Sequence, residues 1–101
     1  MVRYLNLFEV PAGREDEFLA MWQQVNAYMT AKPGYLGHRL HRALGDDARY
    51  RFFNYVEWES VEHFRGAHDE GFRAMVSGPE WAAYPFTPGL YDVVHAGGQL
   101  A

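Results

Sequence analysis

Two asparagines lie in apolar surroundings where an amide could hold a ligand. Asn6 occurs in RYLNLFEV and Asn54 in RFFNYVEW. Side chains of an extended chain alternate between two faces, so each asparagine shares its face with apolar residues: Tyr4, Phe8 and Val10 for the first, Phe52, Val56 and Trp58 for the second. An unpaired buried amide costs about 1–3 kcal/mol. Each amide therefore either bonds neighbouring backbone or projects into an aromatic-lined pocket and bonds a ligand oxygen, and both roles are open.

Trp58 and Arg73 are further candidates for chemistry. Trp58 ends the segment NYVEW, and its indole N–H needs a hydrogen-bond partner when it is buried. Trp58 therefore either packs in the core or donates its indole N–H to the carbonyl group of a bound ligand. Arg73 falls in a predicted helix, where an arginine is by default solvated. It would be functional only above the mouth of a pocket.

The histidines do not suggest a metal site, and the chain has no cysteine. His38 and His41 are three residues apart in a predicted strand and face opposite ways, while His63 and His68 are five apart and diverge around a helix. Glu59 and His63 have helical spacing but lack a third ligand. Surface or capping roles are expected for the histidines, with no metal. Phosphate-binding loops and hydrolase motifs are also missing from the sequence.

The elements that must position these residues follow the order β-α-β-β-α-β. Residues 3–10 form the first predicted strand, and a helix with acids in its first turn runs to about Lys32, before Pro33-Gly34. Its apolar stripe is Phe18, Trp22, Val25 and Met29. The remaining expectations are strands over 35–42, 49–58 and 90–95, a helix over 62–76 with breaks at Gly66 and Gly71, and a frayed tail over 97–101.

This order predicts a ferredoxin-like α+β fold, the split βαβ arrangement with an antiparallel sheet and both helices on one face. The length fits a single domain over residues 1–101. The opposite sheet face would carry an apolar patch larger than soluble monomers usually expose, formed by Leu5, Leu7, Phe53 and Tyr55. A homodimer that closes sheet against sheet is therefore expected.

Composition restricts the partners. The formal net charge is −4 and aromatic residues make up 17% of the chain, so there is no basic field for nucleic acid or an anionic membrane. The aromatic rings either line a pocket or are buried against a partner chain. The N-terminal apolar stretch is too short and polar for a signal sequence, and no run is long enough to span a bilayer. A cytoplasmic protein is expected.

Three sequence segments carry a family resemblance: FEVPAG, the turn KPGYLGHRLHR, and YRFFNYVEWESVEHFR. With these motifs the chain resembles the antibiotic biosynthesis monooxygenase family over residues 2–96. The resemblance implies a dimeric α+β barrel. Members of that family include cofactor-independent oxygenases of aromatic polyketides, haem-degrading enzymes and small proteins of unassigned function.

The similarity to anthrone oxygenases includes Asn54, Trp58 and, with a gap in the helix, Arg73. It implies an oxygenase without metal, flavin or other cofactor, in which a small anthrone- or quinol-like phenolic substrate loses a proton and its carbanion reacts with O₂. Asn54 and Trp58 would stabilise the developing oxyanion, and Arg73 would hold the anionic substrate. We expect the substrate pocket to contain Asn6, Phe8, Trp22, Phe52 and Phe64. The last of these stands where the oxygenase pattern has a tyrosine.

Haem degradation is the alternative function, because the haem-degrading branch shares Asn6. That branch has a tryptophan and an iron-ligating histidine on the second helix, where this chain has Ala67 and Met75-Val76. His68 would replace the missing ligand only if the helix were repositioned. A dimer that binds a small molecule without turnover is a third hypothesis, since a fold alone does not confer an activity.

Overall fold

A computed structural model describes residues 1–100 and shows an antiparallel four-stranded sheet with helices packed on one face. The strands are β1 (Val2–Phe8), β2 (Tyr35–Arg42), β3 (Phe52–Trp58) and β4 (Phe86–Tyr91), in the order β2-β3-β1-β4. The helices are α1 (Glu15–Thr30), α2 (Val61–Ala67) and α3 (Glu70–Val76), with 3₁₀ turns at Pro79–Ala83 and Gly98–Leu100. This topology confirms the predicted ferredoxin-like α+β fold. Ala101, the end of the predicted frayed tail, lies outside the described residues.

The side chains of β3 alternate strictly between a buried and a half-buried face. Phe52, Asn54, Val56 and Trp58 are buried, whereas the residues between them are not. Strand β1 pairs with β3 so that Asn6 lies opposite Asn54. The two faces predicted from the sequence are therefore confirmed, and both asparagines lie on the face that meets the helices.

Two hydrophobic clusters join the helices to the sheet. In the first, Phe18 of α1 is fully buried and stacks on Phe52 with ring centroids 5.0 Å apart, next to Phe8 and Tyr84. Val56, Trp58 and Ala67 form the second cluster, below α2. Full burial of such a side chain contributes about 1.5–3 kcal/mol, so these clusters fix α1 and α2 on the sheet.

The second predicted helix is in fact two short helices, and the predicted break points are wrong. The chain leaves α2 after Ala67, and the Asp69 side chain caps α3 by accepting a 3.0 Å hydrogen bond from the Phe72 amide. Gly71 lies inside α3 instead of interrupting it. A Cβ atom there would overlap the Tyr28 hydroxyl, so this glycine permits α3 to approach α1 closely.

The last strand begins earlier than predicted. Strand β4 spans Phe86–Tyr91 instead of 90–95, although it contains Pro88. This strand is at the sheet edge, where a proline that cannot donate to a ladder is tolerated. Strand β3 also starts at Phe52 and not at Arg49. The Arg51 guanidinium bonds the Ala43 and Asp46 carbonyls in the preceding turn.

Asp69 ties the end of α1 to the start of α3. Its carboxylate accepts hydrogen bonds from Lys32 Nζ at 2.6 Å and from the Tyr28 hydroxyl at 2.8 Å, besides the Phe72 amide. Lys32 also lies 4.3 Å from the centre of the Tyr28 ring. Lys32, followed by the Phe72 amide and Tyr28, holds the pKa of Asp69 well below its usual range. The joint between α2 and α3 is thereby fixed to α1.

We expect Asp69→Asn to lower the melting temperature at neutral pH. The Asp69 carboxyl has a lower pKa in the folded chain than in the unfolded chain. Its stabilising effect is therefore complete above the pKa of the unfolded chain, about 3.9, and is lost as the pH falls through the pKa of the folded chain. The difference in melting temperature between wild type and variant should thus narrow below about pH 4, as measured by circular dichroism. The exposed Asp92→Asn is the matched control. A difference that stays constant down to pH 2 would contradict this role.

Candidate active site

A cavity of about 350 Å³ lies between the helices and the sheet. Its walls come from all four strands, from the three helices and from the 3₁₀ turn that contains Trp81. Nearly half of the lining side chains are Phe, Tyr or Trp. Cavities that bind small molecules are mostly apolar with a few placed polar groups, and this one has that composition.

Three polar atoms in this cavity have no hydrogen-bond partner within residues 1–100. They are the Oδ1 atoms of Asn6 and Asn54 and the indole Nε1 of Trp58, and all three are buried. Leaving such a group unpaired costs about 1–3 kcal/mol. A half-turn of an asparagine amide exchanges its oxygen for its NH₂ group, so each amide can accept or donate. A polar ligand in the cavity would therefore find one fixed donor and two adaptable amides.

Tyr4 supplies a phenolic hydroxyl to the cavity. Its ring packs against Phe64 with centroids 4.9 Å apart and lines the cavity. Burial raises the pKa of Tyr4 to about 12, so the hydroxyl keeps its proton at neutral pH. The cavity therefore contains a protonated phenol beside Phe64.

His68 also lines the cavity, so it does not have a surface role, but its Nδ1 bond to the Phe64 carbonyl at the end of α2 confirms the expected capping role. Because α2 ends at Ala67, the ring of His68 leaves the helix and packs among Tyr4, Phe64 and Phe72, with centroids 5.4, 4.1 and 4.7 Å away. Burial lowers the pKa of His68. Asp69, directly after His68, is a residue type that often caps helices, so the sequence could have indicated that a new helix begins after this position.

Of the other predicted site residues, three line the cavity and two do not. Phe8, Trp22 and Phe64 line the cavity. The prediction for Phe52 is wrong, because its ring is stacked under Phe18 in the core and not on the cavity wall. Arg73 is exposed and is not a lining residue; its Nη1 donates to the His68 carbonyl at 2.9 Å.

Asn26 of α1 was missed by the sequence analysis. It interrupts the apolar stripe of α1 and lies on the cavity wall. Its Nδ2 lies 3.4 Å from His38 Nε2, and His38 Nδ1 contacts the Tyr35 hydroxyl. Unlike Asn6 and Asn54, this amide already has a partner within the protein, so it stabilises the wall.

Residues 1–100 contain neither a cluster of metal ligands nor a helix that could span a membrane. No three His, Cys, Asp or Glu side chains come close enough to hold a metal ion. Within the same range, the structure contains no helix with both the length and the apolar character needed to cross a membrane.

The fold and cavity agree with a family of small oxygenases. The model of the antibiotic biosynthesis monooxygenase family matches residues 1–78, and the chain belongs to this family. A Mycobacterium tuberculosis relative named heme oxygenase (mycobilin-producing) is 34% identical over 80 residues, which cover 79% of this chain and 67% of the relative.

Two solved structures show the same fold over nearly the whole chain. A Shewanella loihica PV-4 protein has a TM-score of 0.82 at 28% identity, with 94% of this chain and 95% of that chain covered. SnoaB, a cofactor-independent oxygenase from Streptomyces nogalater, has a TM-score of 0.77 at 25% identity, with 94% of each chain covered. A cofactor-independent oxygenase therefore shares this architecture.

The cavity lining does not fit a haem. His68 has the ring type and second-nitrogen hydrogen bond of an iron ligand. However, the residues that line the cavity in the described chain include no lysine or arginine to pair with the two propionates. The volume of about 350 Å³ is also near the lower end of small-molecule pockets, about 300–1,000 Å³.

We expect Asn54→Leu to stabilise the ligand-free protein. Leucine has a similar shape and removes a buried amide oxygen without a partner, so the free energy of unfolding should rise by about 1–3 kcal/mol. Urea denaturation measures this change. The matched control is Asn26→Leu, which removes an amide bonded to His38 and should bring no gain. If Asn54→Leu unfolds at a lower urea concentration than wild type, Asn54 is paired in solution.

Proposed function

We propose that this protein is a cofactor-independent monooxygenase that oxidises a small, electron-rich phenolic aromatic compound, of the anthrone or quinol type, with O₂. The observation that carries the proposal is the set of three unpaired polar atoms, on Asn6, Asn54 and Trp58, inside one aromatic cavity. Family membership and the likeness to the cofactor-independent oxygenase SnoaB support it.

The polar groups suit a substrate that becomes an anion. A phenolic ring carries oxygen atoms at its edge and a flat apolar face, which match the amides and the aromatic walls of the cavity. When the substrate loses a proton, negative charge moves onto its oxygen. The Trp58 N–H and the Asn54 amide can donate to that oxygen, and such donors stabilise charge strongly in a site with few other polar groups. Asn6, opposite Asn54 in the sheet, can hold a second substrate oxygen.

The electrons for O₂ reduction come from the substrate. The carbanion transfers an electron to O₂, and the two radicals combine to form a C–O bond and a peroxide. Loss of water from the protonated peroxide leaves a carbonyl group, so a CH₂ group and O₂ yield C=O and H₂O. One oxygen atom enters the product and the other enters water, which is the balance of a monooxygenase.

Arg73 is not included among the residues that contact the substrate. It is exposed, it does not line the cavity, and its guanidinium bonds the His68 carbonyl. The substrate anion in this proposal is instead stabilised by neutral donors. Arg73 is assigned a role in supporting the joint between α2 and α3.

Substitution of the donors should slow oxygen consumption. With a dihydroxyanthrone as substrate and metal-stripped protein, we expect Asn54→Ala and Trp58→Phe each to lower the turnover rate by about 10²–10³-fold, the usual effect of losing an oxyanion donor. Arg73→Ala, which alters a residue outside the cavity that supports the joint between α2 and α3, should lower the rate much less. An oxygen electrode measures these rates.

The same experiment separates this proposal from its alternatives. Loss of activity on chelation, or an unchanged rate in Asn54→Ala, would contradict a cofactor-free reaction at this site. A Soret band that shifts stoichiometrically when haem is added would favour haem chemistry. Tight binding of the aromatic compound without O₂ uptake would indicate a binding protein.

We further propose that the protein is a homodimer joined across its bare sheet faces. The face away from the helices carries Leu7 and Phe53, which are paired in register, and His41 stacks on Phe53 with centroids 4.1 Å apart. His41 Nδ1 is buried without a partner within the described residues. Burial of this apolar face against a second copy would remove it from water.

Light scattering at micromolar concentration should give the mass of a dimer. We expect Phe53→Glu to yield a monomer, because a carboxylate in the centre of an apolar interface is left unpaired. Leu44→Glu, at a fully exposed position in a turn, is the control and should remain dimeric. A monomeric wild type would rule out this assembly.

A further inference from the structure

We propose that His68 is the general base of this cavity and takes the substrate proton on Nε2. This assignment rests on the proposed function, because it concerns the first step of that reaction. It arises from the position of the ring, which lines the same cavity as the three unpaired polar atoms and lies 6.3 Å from the Trp58 ring between centroids.

The hydrogen bonding of His68 determines which nitrogen is basic. Nδ1 lies 2.8 Å from the Phe64 carbonyl oxygen. A carbonyl only accepts hydrogen bonds, so Nδ1 carries the proton of the neutral ring and Nε2 carries the lone pair. No partner for Nε2 occurs within residues 1–100. The free lone pair is therefore available to a ligand.

The joint between α2 and α3 fixes this ring. The His68 amide also donates to the Phe64 carbonyl, so backbone and side chain are held by the same group at the end of α2. The next residue, Asp69, caps α3 and is anchored to Lys32, just beyond the end of α1. A base held on both sides in this way keeps its lone pair at a fixed place in the cavity.

The charges around His68 leave it neutral at physiological pH. Asp69 is adjacent, but its carboxylate is paired with Lys32 and Tyr28. Tyr4 packs against the ring as a neutral phenol, and the Arg73 guanidinium bonds the His68 carbonyl. Burial lowers the pKa of His68 more than the Phe64 hydrogen bond and Asp69 raise it.

No other lining side chain in the described part of the chain can take a proton near neutral pH. The remaining polar groups on the wall are amides, hydroxyls and indole N–H groups, and Tyr4 would have to be ionised first. Amide and indole nitrogens are not bases in water. By elimination among the lining residues and by geometry, the proton acceptor is His68.

The base can act at both proton transfers of the reaction. The first C–H proton goes to Nε2, and the electron pair left on carbon spreads onto the phenolic oxygen. After the C–O bond forms, the imidazolium returns its proton to the peroxide. Nε2 then accepts the second C–H proton while the O–O bond breaks, and the departing hydroxide takes that proton to leave as water.

The test measures proton transfer without O₂. Under nitrogen in D₂O, wild-type protein should accelerate exchange of the CH₂ hydrogens of a dihydroxyanthrone, followed by NMR. We expect His68→Gln to slow this exchange by about 10²-fold or more, the usual contribution of a general base. His63→Gln is the matched control, because this histidine bonds the Ser60 hydroxyl in the first turn of α2, outside the cavity, and its substitution should leave the rate unchanged.

A wild-type pH profile checks the same assignment without any variant. A base acts only when unprotonated, so the exchange rate should rise with pH and reach a plateau. The midpoint should lie below about 6.5, the ordinary histidine value, because burial lowers the pKa of His68. A rate that still rises steeply between pH 7 and 9 would overturn the assignment.

The outcomes distinguish this inference from the proposed function. Exchange that depends on His68 without later O₂ uptake supports the base and contradicts the oxygenase. Equal exchange by wild type and a folded His68→Gln variant contradicts the base, whether or not O₂ is consumed. Absence of accelerated exchange by wild type also overturns the assignment of His68.

Discussion

The antiparallel register of β1 against β3 is the constraint on which the cavity depends. It places Asn6 opposite Asn54 and Tyr4 opposite Val56, all on the face that meets the helices. A slip of one residue would turn every side chain of β1 to the other face of the sheet. Asn6 would then leave the cavity, while Leu7 would enter it. The buried ring of Phe8 at the end of β1, which packs on Phe18 with centroids 4.9 Å apart, opposes such a slip.

Helix α1 is the second element that shapes the site, because it is fixed at both ends. Phe18 packs into the core near its start, and Lys32, just beyond its end, pairs with Asp69. The cavity lies along the C-terminal part of this helix, from Trp22 to Thr30. Packing at Phe18 and the Lys32–Asp69 pair thus hold the helix over a space that its side chains do not fill. The stability of a small domain is only about 5–15 kcal/mol, and a space that no side chain fills lowers it further.

Local patterns in the sequence predicted most of the fold and part of the site. Period-two alternation is a short-range property, so the faces of Asn6, Asn54 and Trp58 followed from it directly. The same rule failed for Phe52, because alternation gives the face of a residue but not its place along the strand. Phe52 lies two residues before Asn54 and is covered by Phe18. Position along the strand depends on how α1 crosses the sheet, which the sequence pattern does not specify.

The predictions for the second helix and the last strand were wrong because contacts between distant parts of the chain override local propensity. Gly66 and Gly71 are helix breakers by propensity, but both lie within helices here, and Gly71 is needed for the approach to Tyr28. Pro88 is tolerated in β4 because that strand is at the edge. The place of His68 in the cavity depends on the break at Asp69. The sequence analysis placed His63 and His68 on one helix and gave His68 a surface or capping role, so it did not predict that this ring lines the cavity.

Burial has opposite effects on the two parts of the proposed chemistry. It keeps His68 unprotonated, but a base with a lowered pKa binds a proton less strongly, at about 1.4 kcal/mol for each pKa unit. The same low-polarity surroundings strengthen the hydrogen bonds from Trp58 and Asn54 to a substrate oxyanion. Those bonds lower the pKa of the bound substrate and so offset the weak base. Proton transfer in this cavity would therefore require both groups at once, and the substrate must be one whose carbanion places its charge on oxygen.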